Sequence, residues 1–154
     1  MCGIAGYSLI PGSQPAHELL SNARTALAHR GPNDSGMFED LANGIGLVHT
    51  RLSILDLSPM GHQPMLSDDG DVALAFNGEI YNFRELRTEL EGNGHRFRGQ
   101  SDTEVLLALY LEQRQSEISS SESIAALLRK LKGIFSLALW DGHQKSLLLA
   151  RDAL

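Results

Sequence analysis

Short apolar runs cut off by turn-forming residues limit this chain more than any other feature. GIGLVH (44–49), RLSILDL (51–57) and DVALAFN (71–77) are rich in branched and apolar residues, yet Gly, Asp, Ser and Pro separate them within a few positions. Runs of this length bury as strands, and their close spacing suits antiparallel neighbours, because a parallel pair needs a crossover of a dozen or more residues. GIFSLALW (133–140) and KSLLLAR (145–151) flank DGHQ and read as a further hairpin. At the start, Gly3 to Ile10 is apolar and bounded by PGSQP, which predicts a buried strand ending in a turn.

Helical spacing appears between these runs. From His17 to Arg30, Leu19, Leu20, Ala23, Ala26 and Leu27 recur on one face; Gly31 is expected as a left-handed C-cap and Pro32 as the stop. NFRELRTELEGNG (82–94) predicts a helix capped by Asn82 with Glu85 three residues on, followed by a strand-like HRFRG (95–99). Ser101 and Glu104 form a capping-box pattern at the head of a helix reaching about Gln113. Its Val105, Leu106, Leu107, Leu109, Tyr110 and Leu111 cover most of the circumference, so burial on more than one side is expected. QRQSEISSSES (113–123) is polar and serine-rich, a surface loop, and Ile124–Leu131 predicts a short amphipathic helix. Strands and helices come in clusters without strict βαβ alternation, so the expected class is α+β with antiparallel sheets.

With 154 residues, 42% of them apolar, the chain can bury one sizeable core. A net charge of −6 with interleaved signs offers no basic patch for nucleic acid or an anionic membrane, and the longest apolar run is too short to span a bilayer. One cysteine makes no internal disulfide, and the start lacks the pattern of an export signal, so a cytoplasmic protein is expected. Six scattered histidines and the absence of cysteine pairs predict no metal site.

That one cysteine is Cys2, in MCGIAGY. A free thiol ordinarily packs as a small hydrophobe. Position 2 is different: removal of Met1 would leave Cys2 with a free α-amine beside its own thiol. With ordinary pKa values of about 8 and 8.5, the amine can take the thiol proton near neutral pH at little cost and needs no histidine. Such a thiolate attacks an amide carbonyl, forms a thioester and releases ammonia. Gly3 is expected to let backbone lie close to the substrate. In FNGEIYN, Asn77 and Gly78 read first as a hairpin turn, but an Asn amide beside a Gly N–H also supplies two converging donors for an oxyanion. Arg51 suits either a structural ion pair or a fork for an α-carboxylate; Asp102 suits either the first turn of a capped helix or an α-ammonium.

Taken together and in order, MCGIAGY, HRGP, RLSILDLS, GHQPM, NGEIYNFRELR, SDTEVLLALY, GIFSLALWD and LLLARD resemble the amino-terminal glutaminase domain of glutamine-hydrolysing asparagine synthetases, class II glutamine amidotransferases of the N-terminal nucleophile hydrolase fold. The resemblance covers nearly the whole chain, with 113–122 as extra sequence. It implies a four-layer αββα sandwich of two antiparallel sheets, with Cys2 as nucleophile and its amine as base, and Asn77 and Gly78 as oxyanion hole. It further implies Arg51 on the glutamine α-carboxylate, Leu52, Ser53, Ile54 and Leu55 lining the pocket, and Glu79 and Asp102 about the α-amino group. L-glutamine is the implied substrate, with no cofactor expected in this domain; ATP and magnesium are expected only in a synthetase domain outside this sequence, which would take the ammonia in a full-length parent. The chain stops at RDAL where such proteins continue, so an incomplete C-terminus, exposed strand edges and a homo-oligomer are expected. Asn33, Ile134 and Ser136 depart from the usual Asp, Met and Ala, at positions expected to serve packing or loops. Three rival readings accompany the hydrolase: a catalytically idle glutamine-binding or assembly domain, an amidotransferase front end for a different acceptor and, ranked last, a structural or interaction module with no small-molecule site.

Overall fold

A computed structural model describes residues 2–11, 16–115 and 121–153. The first sheet contains β1 (Gly3–Ser8), β2 (Asp34–Asp40) and β3 (Ile45–Arg51) in the order β1-β3-β2. The second contains β4 (Met65–Leu66), β5 (Val72–Ile80), β6 (Gly133–Asp141) and β7 (Ser146–Arg151) in sequence order. All pairings are antiparallel. Helix α1 (His17–Leu27) covers the outer face of the first sheet, while α2 (Phe83–Gly92), α3 (Asp102–Gln115) and α4 (Ser121–Lys130) lie on the helical side of the second.

Side-chain alternation builds these four layers. Every residue of β3 is buried because both of its faces are covered. Gly46 and Thr50 face α1: a Cβ on Gly46 would meet Leu20, and Thr50 Oγ1 donates to Leu27 O at 3.0 Å. Ile45 and Leu47 face the other way and pack with Ala73, Ala138 and Trp140 between the sheets. On β5, Val72, Leu74 and Phe76 point outward into the larger core, where Leu86, Leu90, Val105, Leu106 and Leu109 meet them. Each such fully buried aliphatic side chain contributes about 1.5–3 kcal/mol of transfer free energy. As expected, α3 is buried on several sides, and β6 and β7 form the hairpin read from GIFSLALW and KSLLLAR.

Several local expectations are corrected. RLSILDL is not a strand: β3 takes only Arg51, and 52–57 wraps as irregular chain because the Arg51 guanidinium donates to the carbonyls of Asp56 and Ser58. HRFRG is also irregular, its N–H groups at Arg98 and Gly99 bound to the Glu104 carboxylate at 2.7 and 2.8 Å. That carboxylate therefore leaves the capping box half made, with Glu104 N donating to Ser101 Oγ at 3.2 Å. Asn82 makes no cap bond, since its side chain bridges Lys130 O and Lys132 N at 2.9 Å each. Gly31 is not left-handed, with φ −148°; glycine is required there because a Cβ would lie 2.3 Å from the Thr50 carbonyl. Asn77 and Gly78 form no turn but stand within β5, opposite Ser136 and Phe135. Strand β2, DSGMFED, lacked an apolar signal. Residues 12–15 of the expected PGSQP turn and 116–120 of the expected serine-rich loop lie outside the described residues, as does Met1.

Candidate active site

The same alternation aims the chemistry-bearing side chains into one place. Arg51 shares the face of Ile45 and Leu47 on β3, and Asn77 shares the face of Ala73 on β5, so both project between the sheets. Gly3, opposite Thr50, sits on the α1 face, which turns Cys2 the other way. A cavity of about 250 Å³ opens there. Cys2, Arg51, Leu52, Ile54, Leu55, Asn77, Gly78, Glu79 and Asp102 all line it. Ser53 does not: it faces a separate groove beside Ser58 and His62, and its N–H donates to Asn33 Oδ1 at 3.0 Å. Gly3 also stays outside, since its lack of a Cβ makes room for Thr50 Oγ1 and Leu27 instead of a ligand. Ile134, expected as a packing position, lines the cavity.

The Cys2 sulfur is held by backbone. Leu52 N donates to Sγ at 3.3 Å and the thiol faces Leu52 O at 3.8 Å, while Arg30 Nε donates to Cys2 O at 3.1 Å. No histidine lines the cavity among the described residues. Arg51 is only 7% exposed, with Nη1 donating to Ser58 O at 3.1 Å and Nη2 to Asp56 O. Burial would raise the pKa of Asp56, but the N–H groups of Gln100 and Ser58 and the nearby Arg51 charge outweigh it and hold the carboxyl below its ordinary value. A Cβ on Gly61 would lie 1.9 Å from Arg51 Nη2, so glycine is required for the guanidinium to sit where it does.

Asp102 stands opposite in character. Burial drives its pKa upward against the bond from Ile80 N, at 3.0 Å, with the Glu79 charge adding to the rise. Asn77 Oδ1 is buried and has no hydrogen-bond partner, an unspent group of a kind that native cores rarely tolerate away from a functional position. Gln63, Ser101 and Thr103 also line the cavity; only GHQPM and the capping pattern marked them in the sequence, neither as site residues.

Behind the site, His49 is fully buried, with Nε2 3.0 Å from Phe76 O, so the neutral ring donates there. Burial lowers its pKa from 6.5 to about 4. Because the unfolded ring protonates near 6.5, the neutral ring's contribution is complete above that pH and is lost as pH falls toward 4, to a total of about 3 kcal/mol. Between pH 7 and 4 the melting temperature is expected to fall more steeply for the wild type than for His49→Gln. Parallel slopes in calorimetry would refute this.

Among known proteins, the αββα sandwich matches glutamine phosphoribosylpyrophosphate amidotransferase from Bacillus subtilis, with TM-score 0.70 over 98% of this chain and 36% of that one at 23% identity. The likeness shows a shared fold, two antiparallel sheets stacked between helical layers. A second solved structure, the allosteric regulatory enzyme of purine biosynthesis, matches with TM-score 0.56 over 72% of this chain and 24% of that one at 28% identity. The family model for the glutamine amidotransferase domain matches residues 1–154, and the chain belongs to that family. It is 39% identical over 99% of its length to asparagine synthetase [glutamine-hydrolyzing] 1 of Bacillus subtilis, and 35% identical over 99% to amidase chry2 of Gibberella zeae. In each case it spans 22% of the relative.

Proposed function

We propose that the cavity takes L-glutamine and that Cys2, made amino-terminal by loss of Met1, hydrolyses the side-chain amide to L-glutamate and ammonia. One observation carries this reading: a thiol, a buried guanidinium, an Asn-Gly pair and two carboxylates converge on a single cavity. They match the parts of one small molecule. Arg51 binds the α-carboxylate, Asp102 and Glu79 the α-ammonium, and Leu52, Ile54 and Leu55 flank the aliphatic stem.

The Cys2 α-amine takes the thiol proton, and the thiolate attacks the amide carbon. Negative charge gathers on the oxygen, where the Asn77 amide and Gly78 N–H donate to it. The C–N bond then breaks, ammonia leaves with the proton held by the amine, and a thioester remains. Water cleaves the thioester to glutamate and restores the thiol. In a longer parent the ammonia would feed an ATP-dependent synthetase domain of the asparagine synthetase kind, the class to which several relatives belong by name.

The test is covalent labelling. A diazo-ketone analogue of glutamine is expected to alkylate the Cys2 sulfur with loss of dinitrogen, so the peptide beginning at Cys2 gains the mass of the analogue less N2, and excess L-glutamine is expected to block it. A protein that binds glutamine yet takes no label at Cys2 would be an idle binding domain.

A further inference from the structure

Beyond the residues assigned above, the edge of β5 explains how its donor to the oxyanion is set. In the unbroken register from Val72 opposite Asp141 to Ile80 opposite Gly133, the even-numbered residues of β5 turn their N–H and C=O away from β6. β4 should complete that edge but pairs only at Leu74 and Ala73. Further along, side chains substitute for the missing strand. Phe76 N donates to Gln63 Oε1 at 2.7 Å, and Phe76 O accepts from His49 Nε2 at 3.0 Å. Ile80 N donates to Asp102 Oδ2 at 3.0 Å. Gly78 lies between these two anchored residues, its N–H on the same edge, where the edge forms the cavity wall.

We propose that Gln63 is a positioning residue: by substituting for a β4 residue beside Phe76, it fixes the strand edge from which Gly78 N–H meets the oxyanion. Gln63 is 5% exposed and its other end, Nε2, donates to Thr103 Oγ1 at 3.2 Å, one residue from Asp102. The same side chain therefore ties the β5 edge to the head of α3. An oxyanion develops only in the transition state, so loosening this anchor lowers kcat while leaving ground-state glutamine binding in place. This inference rests on the glutamine hydrolysis reading.

The experiment compares wild type, Gln63→Leu and Gln63→Glu for ammonia release, and measures glutamine affinity by titration calorimetry in a Cys2→Ala background. Gln63→Leu is expected to lower kcat about 10- to 100-fold with affinity within about twofold, for partial loss of one oxyanion donor. Gln63→Glu keeps an acceptor for Phe76 N and is expected to regain most of that loss. A fall of kcat under threefold, an equal fall in both variants, or a loss of affinity matching the loss of kcat would overturn the assignment. A wild type that releases no ammonia defeats the hydrolase reading instead. Amide NMR then decides the positioning claim: faster exchange at Phe76 and a moved Gly78 resonance in Gln63→Leu support it, and unchanged signals defeat it.

Discussion

Cys2→Ala is expected to abolish glutamine-dependent ammonia release while leaving glutamine bound. The cavity contains no second thiol, and no histidine lines it among the described residues, so nothing else there replaces the thiolate. Removing the nucleophile of a covalent hydrolase costs on the order of 10⁴- to 10⁶-fold in kcat, because the acyl-enzyme route is lost as a whole. Arg51 and Asp102 are anchored by the carbonyls of Asp56 and Ser58 and by Ile80 N, none of which depends on the sulfur. Calorimetry should therefore return a similar glutamine affinity for both proteins. Intact mass of the wild type should show a chain starting at Cys2, since an amine tied up in a peptide bond accepts no proton. Ammonia release that persists in Cys2→Ala would remove this sulfur from the mechanism.

The second large effect is at Asn77. Its side chain faces the cavity from β5, and the protein leaves its Oδ1 without a partner. Truncation to alanine therefore breaks no internal hydrogen bond of Oδ1, and its cost falls mainly on the chemical step. Loss of one oxyanion donor lowers kcat about 10²- to 10³-fold, and KM should move little because the charge exists only in the transition state. Steady-state kinetics on Asn77→Ala separate the two. A rise in KM at unchanged kcat would make Asn77 a ground-state ligand for glutamine instead. Gly78 allows no comparable substitution, since at φ 149° a Cβ would lie 2.1 Å from Ile134 O.

The fold was legible wherever the hydrophobic pattern was strong. β3, β5, β6 and α3 supply the core and β7 packs against it through half-buried Leu147, Leu148 and Ala150, and their apolar runs marked them. β2 was missed because its membership in the first sheet comes from backbone pairing with β3, which leaves no periodic trace in DSGMFED. RLSILDL misled for the converse reason. Its apolar residues include Ile54 at 61% and Leu57 at 80% exposure, and the loop is shaped by Arg51 binding local carbonyls, a force that propensity does not record. Ser53 fell in the middle of that segment and faces the wrong side for the cavity.

By itself, the sequence determined which residue types were available for chemistry: one thiol beside the start, an Asn-Gly pair, an arginine at a strand end, an acid at a helix head. Ordered motifs also determined the family. Only the tertiary structure decided that these groups share a cavity and that Gln63 and His49 complete an unfinished strand edge behind it. Residues 2, 51, 77 and 102 are distant along the chain, and what brings them together is strand register and face alternation in two stacked sheets. Those are set by packing across the layers, where no local pattern can record them.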